Sequence, residues 1–116
     1  MIDFVLIRQR KRRAVEYTTD TGKKPFSDWL LRLKDRKGRA VILRRINQAE
    51  EGNFGSYRDL RDGLFEIKIP LGPGFRVYFG IDGDELIVLL CGGDKGSQER
   101  DILLARKYWK DYQGDD

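Results

Sequence analysis

The 116-residue chain contains no histidine, a single cysteine, and no apolar run long enough to span a bilayer. The missing histidine removes the commonest general base and the commonest metal ligand, so any catalysis has to run on Lys, Arg, Glu, Asp or Tyr. The lone Cys91 has no partner for an intramolecular disulfide and lies within an apolar run. That fits a reducing compartment and a small, buried, structural thiol. At the N-terminus the apolar residues Ile2 to Ile7 precede the basic stretch Arg8 to Arg13. A secretory signal has the opposite order, and a transmembrane helix needs about 20 apolar residues. The expectation is a cytoplasmic protein without membrane contact.

What is present fits one domain. Charged residues make up 36% and apolar residues 40%, too apolar for a disordered chain and too polar for a membrane protein. The net charge of +4 and the pI of about 9.3 favour acidic partners, nucleic acid or acidic protein. The boundaries expected are a basic extension over 1–13, a folded domain over 14–112 and an acidic tail over 113–116. The extension reads equally as a solvated arm or as an electrostatic arm for nucleic acid.

Patterning predicts β-α-α-β-β-β-α. Ala14 to Thr19 is a short β-branched strand. Pro25 opens a helix in which Phe26, Trp29, Leu30 and Leu33 share a face. After a break at Asp35 to Gly38, a second helix lines up Ile42, Ile46 and Ala49, and Gly52-Asn53 closes it. Beyond Gly63 the period becomes two. Phe65, Ile67 and Ile69 oppose Glu66 and Lys68 on the first strand of a hairpin; Phe75, Val77, Phe79 and Ile81 alternate with Arg76 and Tyr78 on the second. Glu85 to Cys91 is a near-continuous apolar strand, expected to be central. A final helix from about Ser97 carries Ile102, Ala105, Trp109 and Tyr112 on its apolar stripe.

The hairpin fixes its own register. Pairing Ile69 with Phe75, Ile67 with Val77 and Phe65 with Phe79 puts the apolar residues of both strands on one face, and a slip by one residue destroys that. Lys68 then lies opposite Arg76, and Glu66 opposite Tyr78. Like charges facing each other cost up to about 1 kcal/mol, which points to an anion such as phosphate. The alternative is that Glu66 neutralises Lys68 or Arg76 diagonally on an ordinary solvated face. The segment Cys91 to Gln98 leaves a strand through Gly92-Gly93 and enters a helix with Lys95 beside it. It is either an anion-binding helix N-terminus or a tight turn with Ser97 as N-cap.

Two segments, Gly72-Pro73-Gly74-Phe75-Arg76-Val77-Tyr78-Phe79 and Leu89 to Gln98, resemble the HigB-like "addiction module killer protein" branch of the RelE/ParE toxin superfamily. So do Pro25 to Leu30 with Leu33-Lys34-Asp35, Gly63 to Lys68, and Arg100-Asp101-Ile102 with Ala105. The likeness spans roughly Val15 to Tyr108. It implies an α+β, RelE-like fold, with an N-terminal strand and a helical hairpin packed on a twisted, mainly antiparallel sheet, and a C-terminal helix. It also implies the toxin of a type II toxin–antitoxin pair: an endoribonuclease that cleaves mRNA on the ribosome by 2′-hydroxyl attack, with no metal or other cofactor. The partners implied are a cognate antitoxin, mRNA and the ribosome, with operator DNA reached only through the antitoxin complex. The alternatives are a ParE-like gyrase inhibitor and an inactive toxin serving as corepressor.

Carried over residue by residue, Arg76 matches the superfamily's strand arginine, Lys68 a strand lysine and Lys95 the basic residue after the last strand. Arg76 is the phosphate clamp, Lys95 supports the phosphate or the leaving group, and the proton acceptor is Lys68 or Glu66. Glu66 stands where RelE has a second lysine, and no C-terminal-helix tyrosine aligns with RelE's catalytic one. Tyr78 either stacks on a base or packs. Arg58 and Arg61, with Arg44 and Arg45 of the second helix, are candidate RNA-backbone contacts.

Overall fold

The computed structural model of the protein describes residues 11–114. The elements are β1 (Arg13–Glu16), α1 (Pro25–Arg32), α2 (Arg36–Glu50), β2 (Tyr57–Asp59), β3 (Leu64–Ile69), β4 (Phe75–Asp82), β5 (Leu86–Asp94), a 3-10 turn (Lys95–Ser97) and α3 (Gln98–Gln113). The five strands form one mixed sheet in the order β1-β5-β4-β3-β2. Only β1 runs parallel to its neighbour, β5; the other pairings are antiparallel. No helix among the described residues is long and apolar enough to cross a membrane.

The hairpin register is the one deduced from its apolar alternation: Ile69 pairs with Phe75, Lys68 with Arg76, Ile67 with Val77, Glu66 with Tyr78 and Phe65 with Phe79. The strand expected over Ala14 to Thr19 is Arg13–Glu16, extended by one bond from Tyr17 N–H to Leu89 O. Thr19 then turns the chain by accepting from Gly22 N–H and Lys23 N–H. The packed unit also begins before Ala14, since Arg12 N–H donates to Glu50 O. The rest of the basic extension, residues 1–10, and residues 115–116 of the tail lie outside the described residues. At the other end of the chain Gln113 still belongs to α3.

Helix limits follow local chemistry. Pro25 supplies a first helical position that needs no N–H, and Phe26 and Leu30 point into the core. The expected break at Asp35 to Gly38 is a helix start: Asp35 caps α2 by accepting from Gly38 N–H at 2.9 Å. The far end of α2 closes with Gly52 N–H on Ala49 O and Asn53 N–H on Gln48 O, the paired bonds of a Schellman motif.

Both faces of the sheet are covered, so the polar side of the hairpin is not an ordinary solvated face. On one side α1 and α2 bring Phe26, Ile42 and Ile46 onto Ile67, Val77 and Phe79. On the other, α3 lays Ala105 and Trp109 on Leu64, Tyr78 and Leu90. The apolar run in β5 reflects this double burial. A register shift there, with Tyr78 opposite Cys91 but Phe79 opposite Leu89, places Leu90 as an extra residue. Val88 and Leu90 face α3 before the bulge, and Cys91 does so after it. β5 is interior, flanked by β1 and β4, while the middle of the sheet is β4. The strand not anticipated is β2, three exposed residues with no alternation to mark them.

Candidate functional site

At the α3 N-terminal end of the sheet, two rows of side chains cross the strands. One row runs Arg58, Glu66, Tyr78, Cys91, and the next runs Lys68, Arg76, Gly93. Glu66, Tyr78 and Cys91 lie under α3, while Arg58 at the edge of the row is about half exposed. Glu66 has no solvent exposure at all. Its Oε1 stands 3.5 Å from Arg58 Nε, its Oε2 3.7 Å from Arg76 Nε, and Gln98 Nε2, from the first residue of α3, donates to Oε2 at 3.0 Å. A carboxylate taken fully out of water costs several kcal/mol unless it is paired, and two guanidinium groups and an amide supply that pairing. For Arg76, the diagonal neutralisation by Glu66 is what the structure contains.

Glu66 is therefore not the open-surface group that a general base needs. α3 seals it from solvent, and it serves as the internal counter-charge of Arg76. Tyr78 is likewise packed, with no exposure, and no base can stack on it. Burial, and then the neighbouring Glu66 charge, push its phenol well above the ordinary range. Its hydroxyl makes no hydrogen bond of normal geometry among the described residues.

In the second row Lys68 is open to solvent, whereas Arg76 keeps only 11% of its side chain exposed and Gly93 is buried. Lys68 enters no ion pair among the described residues. Arg76 is pinned from two sides, by Glu66 and by a 2.9 Å bond from Nη1 to Gly74 O. A β-carbon at Gly74 would stand 3.4 Å from Arg76 Nη1 and 3.6 Å from Lys95 Cβ, so Arg76 and Lys95 flank the β3–β4 turn together. Lys95 is exposed at the start of the 3-10 turn. Three cations from three elements thus gather at one end of the sheet, two of them open and one held from behind.

The arginines are distributed differently. Arg58 borders the row through Glu66. Arg61 sits exposed at the tip between β2 and β3, with φ of 79°. Arg45 is partly buried and donates to Phe54 O and Lys68 O, which makes it a brace between α2 and the end of β3. Arg44, its neighbour on α2, is exposed.

Gly92 and Gly93 do not form a phosphate-cradling loop. They lie within β5, where a β-carbon at Gly92 would overlap the Trp29 ring and one at Gly93 the Asp101 carboxylate. The glycines allow helices to approach the strand from both faces. Ser97 stands at the N-cap of α3 but makes no capping bond there; its hydroxyl goes to buried Asp101, and Asp94 caps the preceding turn through Gly96 N–H at 2.8 Å. Cys91 is buried, and its thiol is pushed up to about 12 by burial and by the Asp101 charge. Gln98 and Asp101 lie in segments that carry the family resemblance, but sequence reasoning gave neither a place in the site; the structure sets Gln98 on Glu66 and Asp101 on Ser97.

The fold and this site define a small α+β domain that carries a cationic end on a doubly covered sheet. No family model matches the chain. It is 43% identical over 81 residues to an uncharacterized protein of Haemophilus influenzae (strain ATCC 51907 / DSM 11121 / KW20 / Rd), which covers 70% of this chain and 82% of that protein. The chain belongs to the family of that protein.

Proposed function

We propose that the protein is the toxin of a type II toxin–antitoxin pair, with a RelE-like fold, and that it inhibits translation in the cytoplasm by cutting mRNA on the ribosome. The observation that carries this reading is the convergence of Lys68, Arg76 and Lys95, the three positions matched to the superfamily's basic residues, on one end of the sheet. A phosphodiester seated there would meet a guanidinium already fixed by Glu66 and Gly74 O. Preorganised donors of this kind stabilise the charge that builds on the phosphoryl oxygens as the 2′-hydroxyl attacks. Lys68, open and next to Arg76, is the residue in reach of the 2′-hydroxyl proton, and Lys95 serves the leaving 5′-oxygen. Glu66 acts through Arg76 and touches no substrate.

The exposed arginines Arg58, Arg61 and Arg44 would add salt-dependent contacts to RNA backbone. A small antitoxin would complete the pair and connect it to operator DNA.

Primer extension on cellular transcripts after brief expression tests the proposal. New 5′ ends within coding sequence are expected for the wild type and not for Lys68→Ala, Arg76→Ala or Lys95→Ala. Intact transcripts together with blocked gyrase would select the ParE-like alternative. Growth arrest that survives all three substitutions would overturn the nuclease.

A further inference from the structure

Strand β1 is too short for its neighbour. Its pairing with β5 ends at Glu16–Leu89 and the bond from Tyr17, while β5 continues to Asp94. Beside this bare stretch a cleft opens, with Cys91 and Gly92 at its base, Trp29 and Leu33 of the α1 side on one wall, and Leu104 and Tyr108 of α3 on the other. The turn at Thr19–Lys23 crosses it and leads into a second hollow along α3, where Leu103 is 72% exposed.

The rim is cationic. Lys23, Arg32 and Arg100 border the first hollow, and Lys107 and Lys110 the second. Lys23, Lys107 and Lys110 make no ion pair among the described residues. The carboxylates nearby are largely spoken for: Asp101 binds the Ser97 hydroxyl and lies 3.9 Å from Arg100 of the rim, and Asp111 accepts from Tyr17 at 2.5 Å. Asp20 and Asp28 are left to oppose the rim. Arg106 turns away, to Leu60 O and Asp62.

We propose that this cleft docks an acidic, amphipathic segment of a partner protein. Apolar side chains of the segment would rest on Trp29, Leu104 and Tyr108, and its carboxylates would meet Lys23, Arg32, Arg100 and Lys107. Charge complementarity selects this occupant. A second copy of the chain would bring two cationic rims together, and a nucleic acid would leave the exposed leucines without use. The cleft lies on the β1 side of the sheet, whereas Lys68 is on β3 beyond β4, so docking here leaves Lys68 uncovered. The inference stands apart from the nuclease reading and is tested without any activity.

The test uses the full chain and a helical peptide of about 14 residues, leucine on one face and glutamate on the other. Its binding is followed by calorimetry and by Trp29 emission, with Trp29→Phe as the optical control. Matched peptides with lysine for glutamate or serine for leucine, and a uridine oligonucleotide, are run in parallel. The Glu/Leu peptide should bind, weaken with salt, and lose roughly tenfold in affinity for Leu104→Ser and for Lys107→Glu, about 1.4 kcal/mol each. Lys107→Glu alters only an exposed side chain, so it keeps the test open if Leu104→Ser folds poorly; Lys68→Ala should bind the peptide as wild type does. The proposal is overturned if the Glu/Leu peptide fails to bind at millimolar concentration or if the lysine peptide binds as well. It also falls if Lys107→Glu leaves the affinity unchanged, if only the oligonucleotide binds the cleft, or if sedimentation shows a dimer that the two substitutions dissolve.

Discussion

Replacing Glu66 with glutamine keeps its shape and removes the charge that faces Arg58 and Arg76. Breaking a buried ion pair by removing one member costs about 3–5 kcal/mol, because the other charge is stranded. Here both N–O separations, 3.5 and 3.7 Å, exceed hydrogen-bond length, and Arg58 keeps about half its side chain in water. The loss should therefore be smaller, about 2–3 kcal/mol, which for a domain of this size is a fall in Tm of roughly 8–12 °C. Lys68 adds to the loss, since without Glu66 it faces Arg76 unscreened across the strand pair. Urea denaturation of wild type, Glu66→Gln, Arg76→Met and the double variant closes a cycle whose coupling energy should be about 1–2 kcal/mol. A Glu66→Gln protein within 0.5 kcal/mol of wild type, on the ~0.5 kcal/mol scale of ordinary surface substitutions, or a coupling energy near zero, would refute the counter-ion role.

Lys68→Ala and Lys95→Ala should leave stability within about 0.5 kcal/mol of wild type, and each should lower the salt dependence of RNA binding by about one counter-ion; a global loss of fold by circular dichroism would contradict their placement. Gly93→Ala should destabilise by about 1–3 kcal/mol, because its methyl group displaces Asp101 and with it the start of α3; unchanged urea midpoints would contradict that packing. Arg45→Ala should cost about 1–2 kcal/mol and Arg44→Ala under about 0.5, since Arg45 alone bonds two backbone carbonyls. Cys91 should resist thiol reagents at pH 8 until the protein unfolds. Its folded pKa lies above its ordinary 9.0, so the contribution it makes to stability is intact below about 9 and is lost as pH rises toward about 12; rapid native-state labelling would contradict its burial.

The hairpin was the most legible part of the chain because period-two alternation over Phe65 to Ile69 and Phe75 to Ile81 allows one register, and the Lys68–Arg76 pairing came with it. Helices α1 and α2 were equally marked by Pro25 and by the spacing of Phe26, Leu30, Ile42 and Ile46. Polar residues on the other hairpin face were misleading for a physical reason. Glu66 and Tyr78 look solvated by type, but α3 covers them, and local pattern does not report which face a distant helix will take. β2 escaped notice because three exposed residues carry no period, and its pairing to β3 depends on a turn in which Arg61 and Asp62 take positive φ. Gly92-Gly93 suggested a loop, since a sequence does not say that Trp29 and Asp101 will press on the strand from opposite faces. Of the candidate site, Lys68, Arg76 and Lys95 lie where the hairpin and the last strand bring them together, while Glu66 is the buried counter-charge of Arg76.

The most direct measurement is the chemistry of RNA ends in a purified translation reaction programmed with one message. The account predicts cleavage by the wild-type protein that leaves 2′,3′-cyclic or 3′-phosphate ends and that vanishes in folded Arg76→Ala. Message that stays intact while translation continues, or cleavage that persists in Arg76→Ala, would contradict it.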